Sequence, residues 1–224
     1  MTRQRALSGV VLAYFCAALI VAGPWIFTML GIAGLSAVGC TLPCAQLPLF
    51  RTVVIYNSMF SLVLTSPLAF FLGRHVADAL HGGRPEHVFA SLVAGLVLLC
   101  LATLLVAVPL YGLGASLDAP TRLAAVQNAL LIAVSWLLIP FLGALRAHGA
   151  ILAAFGAGAG AMTAFGRVLD DPGADALLTG FNASFALADA VMMACIVRRV
   201  GCASGVICRP AASSTRWACG WTRR

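Results

Sequence analysis

Residues 58–95 read SMFSLVLTSPLAFFLGRHVADALHGGRPEHVFASLVAG. Two apolar runs flank a short stretch that holds Arg74, His75, Asp78, His81, Arg84, Glu86 and His87. Charge gathered between uncharged runs marks a chain that crosses hydrocarbon, turns in water and crosses back. The pattern repeats along the whole chain. Of its 224 residues, 62% are hydrophobic and only 9% are charged, and the mean hydropathy is +1.01. A soluble domain carries about 25% charged residues. This chain lacks the polar surface to face water, and it reads as an all-α integral membrane protein.

A spanning helix needs about 20 mostly apolar residues. Six segments qualify, at 12–36, 52–72, 88–111, 123–145, 149–166 and 176–197. Residues 1–197 therefore form a six-transmembrane-helix bundle, and 198–224 form a separate tail. The start MTRQR imitates a secretory signal, but residues 6–50 carry no charge. That run far exceeds the apolar core of a signal, about 7–15 residues, so the first helix is retained. With the N-terminus cytoplasmic, Arg3, Arg5, Arg74, Arg84, Arg146, Arg198 and Arg199 fall inside. Arg51, Arg122 and Arg167 fall outside, with Asp118, Asp170, Asp171 and Asp175. This bias follows the positive-inside rule and places both termini in the cytoplasm.

All 14 basic residues are Arg, which points to a GC-rich bacterial gene and hence to the bacterial inner membrane. The net charge of +7 is spent on topology, so nucleic acid is not a partner, whereas membrane lipid is. The eight cysteines are scattered. Cys40 and Cys44 in CTLPC are either small residues at a helix end or an extracytoplasmic disulfide. Prolines interrupt the segments at Pro24, Pro67, Pro109 and Pro140, where each removes a backbone donor and kinks the helix. In the fifth segment, Gly156 and Gly160 have the spacing that lets two helix backbones approach closely.

Polar residues within the segments line up at spacings of four and seven, which share a helical face. The second segment carries Asn57, Ser61 and Thr65, with Ser58 beside them. The fourth carries Asn128 and Ser135, with Gln127 adjacent, and the sixth carries Asn182 and Asp189. Two readings are open. The stripes are interhelical hydrogen-bond glue, or they line a hydrated path for a polar, uncharged solute. Asp189 stands apart as the carboxylate well inside a span, and an intramembrane ionisable residue is a functional candidate by default. His75, His81 and His87 crowd one loop, but no Cys or carboxylate cluster completes a metal shell. Without a phosphate loop, nucleophile elbow or metalloprotease motif, no enzyme, cofactor or metal is expected.

The stretch 58–95 resembles the second helix, cytoplasmic loop and third helix of the PelG family, inner-membrane transporters of Pel exopolysaccharide. AGPWIF at 22–27, WLLIPFLGALRAHGAILAAFGAG at 136–158 and TGFNASFALADA at 179–190 are similar to the same family. The resemblance implies one lobe of a flippase-type exporter in the multidrug and oligosaccharide exporter group. It implies a substrate rich in N-acetylhexosamines, carried across the inner membrane during biofilm matrix synthesis. It also implies a complex with PelD-, PelE- and PelF-like proteins, the last a cytoplasmic glycosyltransferase. Amides and hydroxyls both donate and accept, so Asn57, Ser58, Ser61, Thr65, Gln127, Asn128, Ser135, Asn182 and Asp189 become candidate path-lining residues. Arg74, Asp78, Arg84 and Glu86 form a candidate cytoplasmic docking loop.

Family members of full length carry a second bundle after the sixth helix. The tail VGCASGVICRPAASSTRWACGWTRR at 200–224 does not resemble its start. An Arg-, Cys- and Trp-containing tail without acid is the kind of mixture that out-of-frame reading of a GC-rich gene yields, and a truncated exporter is the expectation. A lipid-binding tail, an acylated Cys202 or a metal site at Cys202 and Cys208 remain alternatives. A non-transporting membrane scaffold that docks synthase partners is the alternative function.

Overall fold

The structure is a computed structural model of the chain. It describes residues 47–84, 86–113, 117–166 and 173–203, together with Tyr14, Ile26, Met29, Leu30, Ile32 and Ala33. The first expected helix lies almost wholly outside the described residues, as do Cys40, Cys44 and the tail beyond 203. Five helices follow: α1 (Leu47–His81), α2 (Glu86–Leu113), α3 (Ala119–Ala144), α4 (His148–Gly166) and α5 (Ala174–Ala203). All 5 are long and apolar enough to cross a membrane, and no strand occurs among the described residues. They correspond to the second through sixth expected segments.

Two helices run past the ends of their spanning segments, α1 as the short amphipathic extension that Arg74, Asp78 and Leu80 suggest and α5 without such a signal. Hydropathy stops α1 at residue 72, yet it continues to His81. Its last turns are amphipathic: Val76 and Ala79 are buried while Arg74, His75 and Asp78 are exposed. The helix stays regular because one face still packs on the core. α5 likewise passes the expected boundary at 197 and reaches Ala203. Val200 is buried there, and the Arg199 guanidinium donates to the Leu145 carbonyl at 2.9 Å. The residues from 198 to 203 thus belong to the bundle rather than to a separate tail.

Among the described residues, α1 and α3 end in the same way. After α1, the Gly83 amide bonds Leu80 and the Arg84 amide bonds Ala79. After α3, the Arg146 amide bonds Gly143 and the Ala147 amide bonds Leu142. This pair of reversed bonds is the Schellman motif, which requires a left-handed residue just past the helix. Gly83 has φ 68° and Arg146 has φ 52°. Glycine adopts that region freely, whereas a residue with a Cβ is strained there.

The two turns set the topology. α1 and α2 form one hairpin, α3 and α4 another. Asn57 meets Ala125 and Ser61 meets Ala129 at the same sequence offset of 68, so α1 and α3 are parallel. Asn128 meets Asn182 and Ser135 meets Asp189 at an offset of 54, so α3 and α5 are parallel. α3 is the hub: it packs on α1, α2, α4 and α5, and more of its apolar span is buried than of any other described helix. Lipid-facing surface is apolar, with Val63, Phe70, Phe71, Leu101 and Leu105 exposed.

The interior has two apolar cores. One gathers Leu72, Val76, Leu92, Leu137, Phe141, Met192 and Ile196 near the α1–α2 and α3–α4 turns. The other gathers Phe50, Val54, Tyr111, Ala125, Leu177 and Phe181 at the opposite end. On α1 the polar residues 57 to 65 lie between the two. They lie near the middle of a 35-residue helix.

The close approach of α4 to α5 is not where the small-residue spacing placed it. A Cβ added at Gly156 or Gly160 meets nothing within 4 Å, and both glycines are exposed. A Cβ at Gly158 would stand 3.0 Å from the Ser184 carbonyl oxygen and 3.5 Å from the Ala188 methyl. Gly158 is the contact because two residues along a helix turn the face by about 200°. Gly158→Val is therefore expected to destabilise the protein by about 1–3 kcal/mol, the usual cost of overpacking. Gly156→Ala and Gly160→Ala should stay within about 0.5 kcal/mol. Gly83→Ala should cost about 1 kcal/mol, and Arg146→Gly should shift stability in the opposite direction. Unfolding curves in mixed detergent check all five.

Candidate functional site

α3 carries alanines where it meets its neighbours, at Ala124, Ala125 and Ala129, and all three are buried. Small side chains let the helices approach until side-chain amides reach the facing backbone. Asn57 of α1 donates to the Ala125 carbonyl at 2.9 Å and to Asn128 Oδ1 at 2.9 Å. Its own Oδ1 accepts from the Tyr111 hydroxyl of α2 at 2.6 Å. Asn128 donates to Asn182 Oδ1 at 2.8 Å, and Asn182 donates to the Ala124 carbonyl at 2.9 Å.

The chain of bonds from Tyr111 through Asn57, Asn128 and Asn182 to Ala124 runs in one direction. Each amide accepts on oxygen and donates through nitrogen. Reversing any one of them would set two donors or two acceptors face to face. This layer ties α1, α2, α3 and α5 together, and Asn57, Asn128, Asn182 and Tyr111 are all at most 5% exposed. Buried amides in hydrocarbon are expensive unless bonded, and here the cost is met by the neighbouring helices.

A second layer follows one to two turns along. Ser61 donates to the Ala129 carbonyl at 3.1 Å. Ser135 donates to Asp189 Oδ1 at 2.5 Å. Asp189 Oδ2, Thr65 Oγ1 and Thr103 Oγ1 are buried and have no hydrogen-bond partner among the described residues.

The structure sorts the candidate residues. Asn57, Ser61, Asn128, Ser135, Asn182 and Asp189 come together in one buried belt, and Thr65 lies buried on the same face of α1. Ser58 is buried but turns back on its own helix, donating to the Val54 carbonyl at 2.8 Å. Gln127 is exposed and does not join its neighbour Asn128. In the loop, Arg74, Asp78 and Arg84 are exposed. An open cavity of about 460 Å³ lies beside Arg74, lined by Ala69, Phe70, Gly73 and Pro140. Among the described residues, no cluster of His, Cys, Asp or Glu could hold a metal ion.

Two members of the belt escape a reading by stripes. Tyr111 and Thr103 stand on α2, whose polar residues are too few to show a spacing. The available signal was chemical: a phenol inside a leucine-rich span needs a hydrogen-bond partner.

The family model described as "PelG: Putative exopolysaccharide Exporter (EPS-E)" matches residues 1–207. The chain belongs to the PelG family. No curated protein and no solved structure matches it. The PelG match covers every described helix and passes the end of α5 at Ala203. It supports an exopolysaccharide export role in a membrane protein, and the family is one of exporters rather than enzymes.

The amide layer predicts which substitutions matter. Asn128→Ala removes the acceptor of Asn57 and the donor to Asn182. Each interhelical bond of this type contributes about 0.6 kcal/mol and at most about 1.7, so the variant should lose about 1–3 kcal/mol. Asn128→Asp should be at least as damaging, because it turns a carboxylate toward Asn182 Oδ1. Gln127→Ala should leave stability unchanged. Denaturant unfolding of purified protein in detergent measures the three.

Proposed function

We propose that this chain is the N-terminal lobe of a Pel-like exopolysaccharide exporter in the bacterial inner membrane. The PelG match across residues 1–207 carries the reading. In it the lobe has six spanning helices, a flippase-type architecture and both termini in the cytoplasm. The polymer, rich in N-acetylhexosamines, moves between this lobe and a second one. An alternating path between two lobes needs both of them.

The candidate path residues then divide by what their polar groups are already doing. Asn57 uses both amide hydrogens and its oxygen inside the lobe. Such a group has little capacity left for a sugar. Asn57, Asn128 and Asn182 are best read as braces that let the lobe move as one body. Gln127, exposed on the hub helix, keeps the path-lining role. On the cytoplasmic side, Arg74, Asp78, Arg84 and Glu86 form the docking surface for a PelF-like glycosyltransferase, with PelD- and PelE-like proteins completing the complex. Its support is exposure: Arg74, Asp78 and Arg84 face outward on the end of α1 and its turn.

Co-expression in a strain lacking its own exporter tests the reading. The chain alone should secrete no N-acetylhexosamine polymer, and the chain with a separately encoded second lobe of a PelG protein should restore secretion. Polymer at background level from a membrane-inserted, co-purifying pair would overturn it. Arg74→Glu with Arg84→Glu should weaken capture of the glycosyltransferase by about tenfold, the effect of reversing two charges at an interface rim.

A further inference from the structure

Between Arg51 and Arg74 no residue of α1 is charged. A rise of about 1.5 Å per residue sets the two arginines about 35 Å apart, close to a hydrocarbon thickness of about 30 Å. They mark the two faces of the membrane, and Arg74 stands at the depth of lipid headgroups. Phe70, one turn earlier, lies about 6 Å deeper and is 78% exposed. Residues four apart share a helical face. Phe70 and Arg74 therefore form one wall, with an aromatic ring beneath a guanidinium.

Ala69 and Gly73, also four apart, form the adjoining face of α1. The parallel helix α3 comes close there, since a Cβ added at Gly73 would stand 3.6 Å from the Pro140 Cβ. Short side chains on both helices leave the space beside that contact unfilled. The result is the open cavity of about 460 Å³ lined by Ala69, Phe70, Gly73, Arg74 and Pro140. Pockets that hold small molecules measure about 300–1,000 Å³. Arg74 is the one charged residue in this lining, and the rest is apolar.

The Arg74 guanidinium is uncommitted. Asp78 lies one turn on, within reach of an ion pair along the helix, yet Arg74 makes no hydrogen bond or ion pair among the described residues. The same end of the bundle carries Arg84, Arg146 and Arg198, so the local field favours an anion, and basic pockets between spanning helices take up anionic lipid headgroups. A small soluble anion would leave the apolar floor in water, and a neutral hydrocarbon would leave the guanidinium unmatched. The occupant that satisfies both carries a negative group at headgroup depth and a chain below it. Arginine presents a planar fork of donors that suits phosphate.

We propose that the groove between α1 and α3 binds one anionic glycerophospholipid, with its phosphodiester on Arg74 and an acyl chain along Phe70, Ala69 and Gly73. The lipid fills the gap beside the Gly73–Pro140 contact and joins the two helices at the membrane face. The site does not rest on the exporter reading.

The test uses the full chain purified in detergent, with dioleoyl phosphatidylglycerol and dioleoyl phosphatidylcholine as probes. The two share their chains and differ in headgroup charge. Native mass spectrometry measures the lipid retained per protein at matched concentrations. Wild type should hold one phosphatidylglycerol about fivefold more tightly than phosphatidylcholine, the worth of one basic residue beside an anionic lipid. Arg74→Gln should bring the two lipids level. Gly73→Leu and Ala69→Leu each fill the groove and should reduce retention of both lipids, with unfolding curves showing that the variants are folded. Arg84→Gln, on the turn beyond the groove, should keep the preference within about twofold. Equal retention of the two lipids by wild type overturns the proposal, and so does a preference that survives Arg74→Gln. Retention unchanged by both groove-filling variants overturns it as well. A preference lost equally in Arg84→Gln and Arg74→Gln reports diffuse surface charge and also overturns it. No readout involves polysaccharide or a glycosyltransferase, so failure here and failure of the exporter reading are separate results.

Discussion

A polar group inside a bilayer has no water to fall back on, and the bonds from Tyr111 through Asn57, Asn128 and Asn182 to the Ala124 carbonyl follow from that constraint. Each asparagine is held because its neighbour presents the complementary atom. The arrangement demands that α1, α3 and α5 run parallel with their middles level. It demands small residues on α3, so that amides reach backbone carbonyls. It also demands short reversing turns, which Gly83 and Arg146 supply in left-handed conformation. The apolar cores on either side are less particular, since leucine, phenylalanine and alanine pack in many ways and lipid is as apolar as they are.

The two layers of the belt have different characters. The amide layer is complete, and its groups are occupied with one another. Completeness of this kind rigidifies a bundle. The hydroxyl and carboxylate layer leaves oxygens on three helices without partners among the described residues. A buried unsatisfied group costs free energy.

How much of this was readable in advance depends on the length scale of each signal. Helix number and order within the described residues follow from hydropathy, because each span must hide about 20 residues from water. Helix ends did not follow from it. α1 runs to His81 because Val76 and Ala79 still pack, and α5 runs to Ala203 because Val200 does. The stripes on α1, α3 and α5 were visible as spacings of four and seven. Tyr111 and Thr103 were not, since a single polar residue on a helix has no period. Gly156 and Gly160 had the right spacing, yet the contact is Gly158, because spacing defines a face without saying which face meets the neighbour.

The amino-acid sequence by itself determined that this chain is an all-helical membrane protein and that a few polar residues must find partners at mid-depth. It also carried the motifs of the PelG family. Those properties are one-dimensional: hydropathy, periodicity and local word order. Only the tertiary structure decided which polar atoms meet. Asn57 faces Asn128 rather than lipid, Gln127 turns away, and Asp189 takes one bond from Ser135 and leaves an oxygen over. The physical reason is that rotation and register of one helix against another are set by summed contacts over the whole bundle, and no single segment contains that sum.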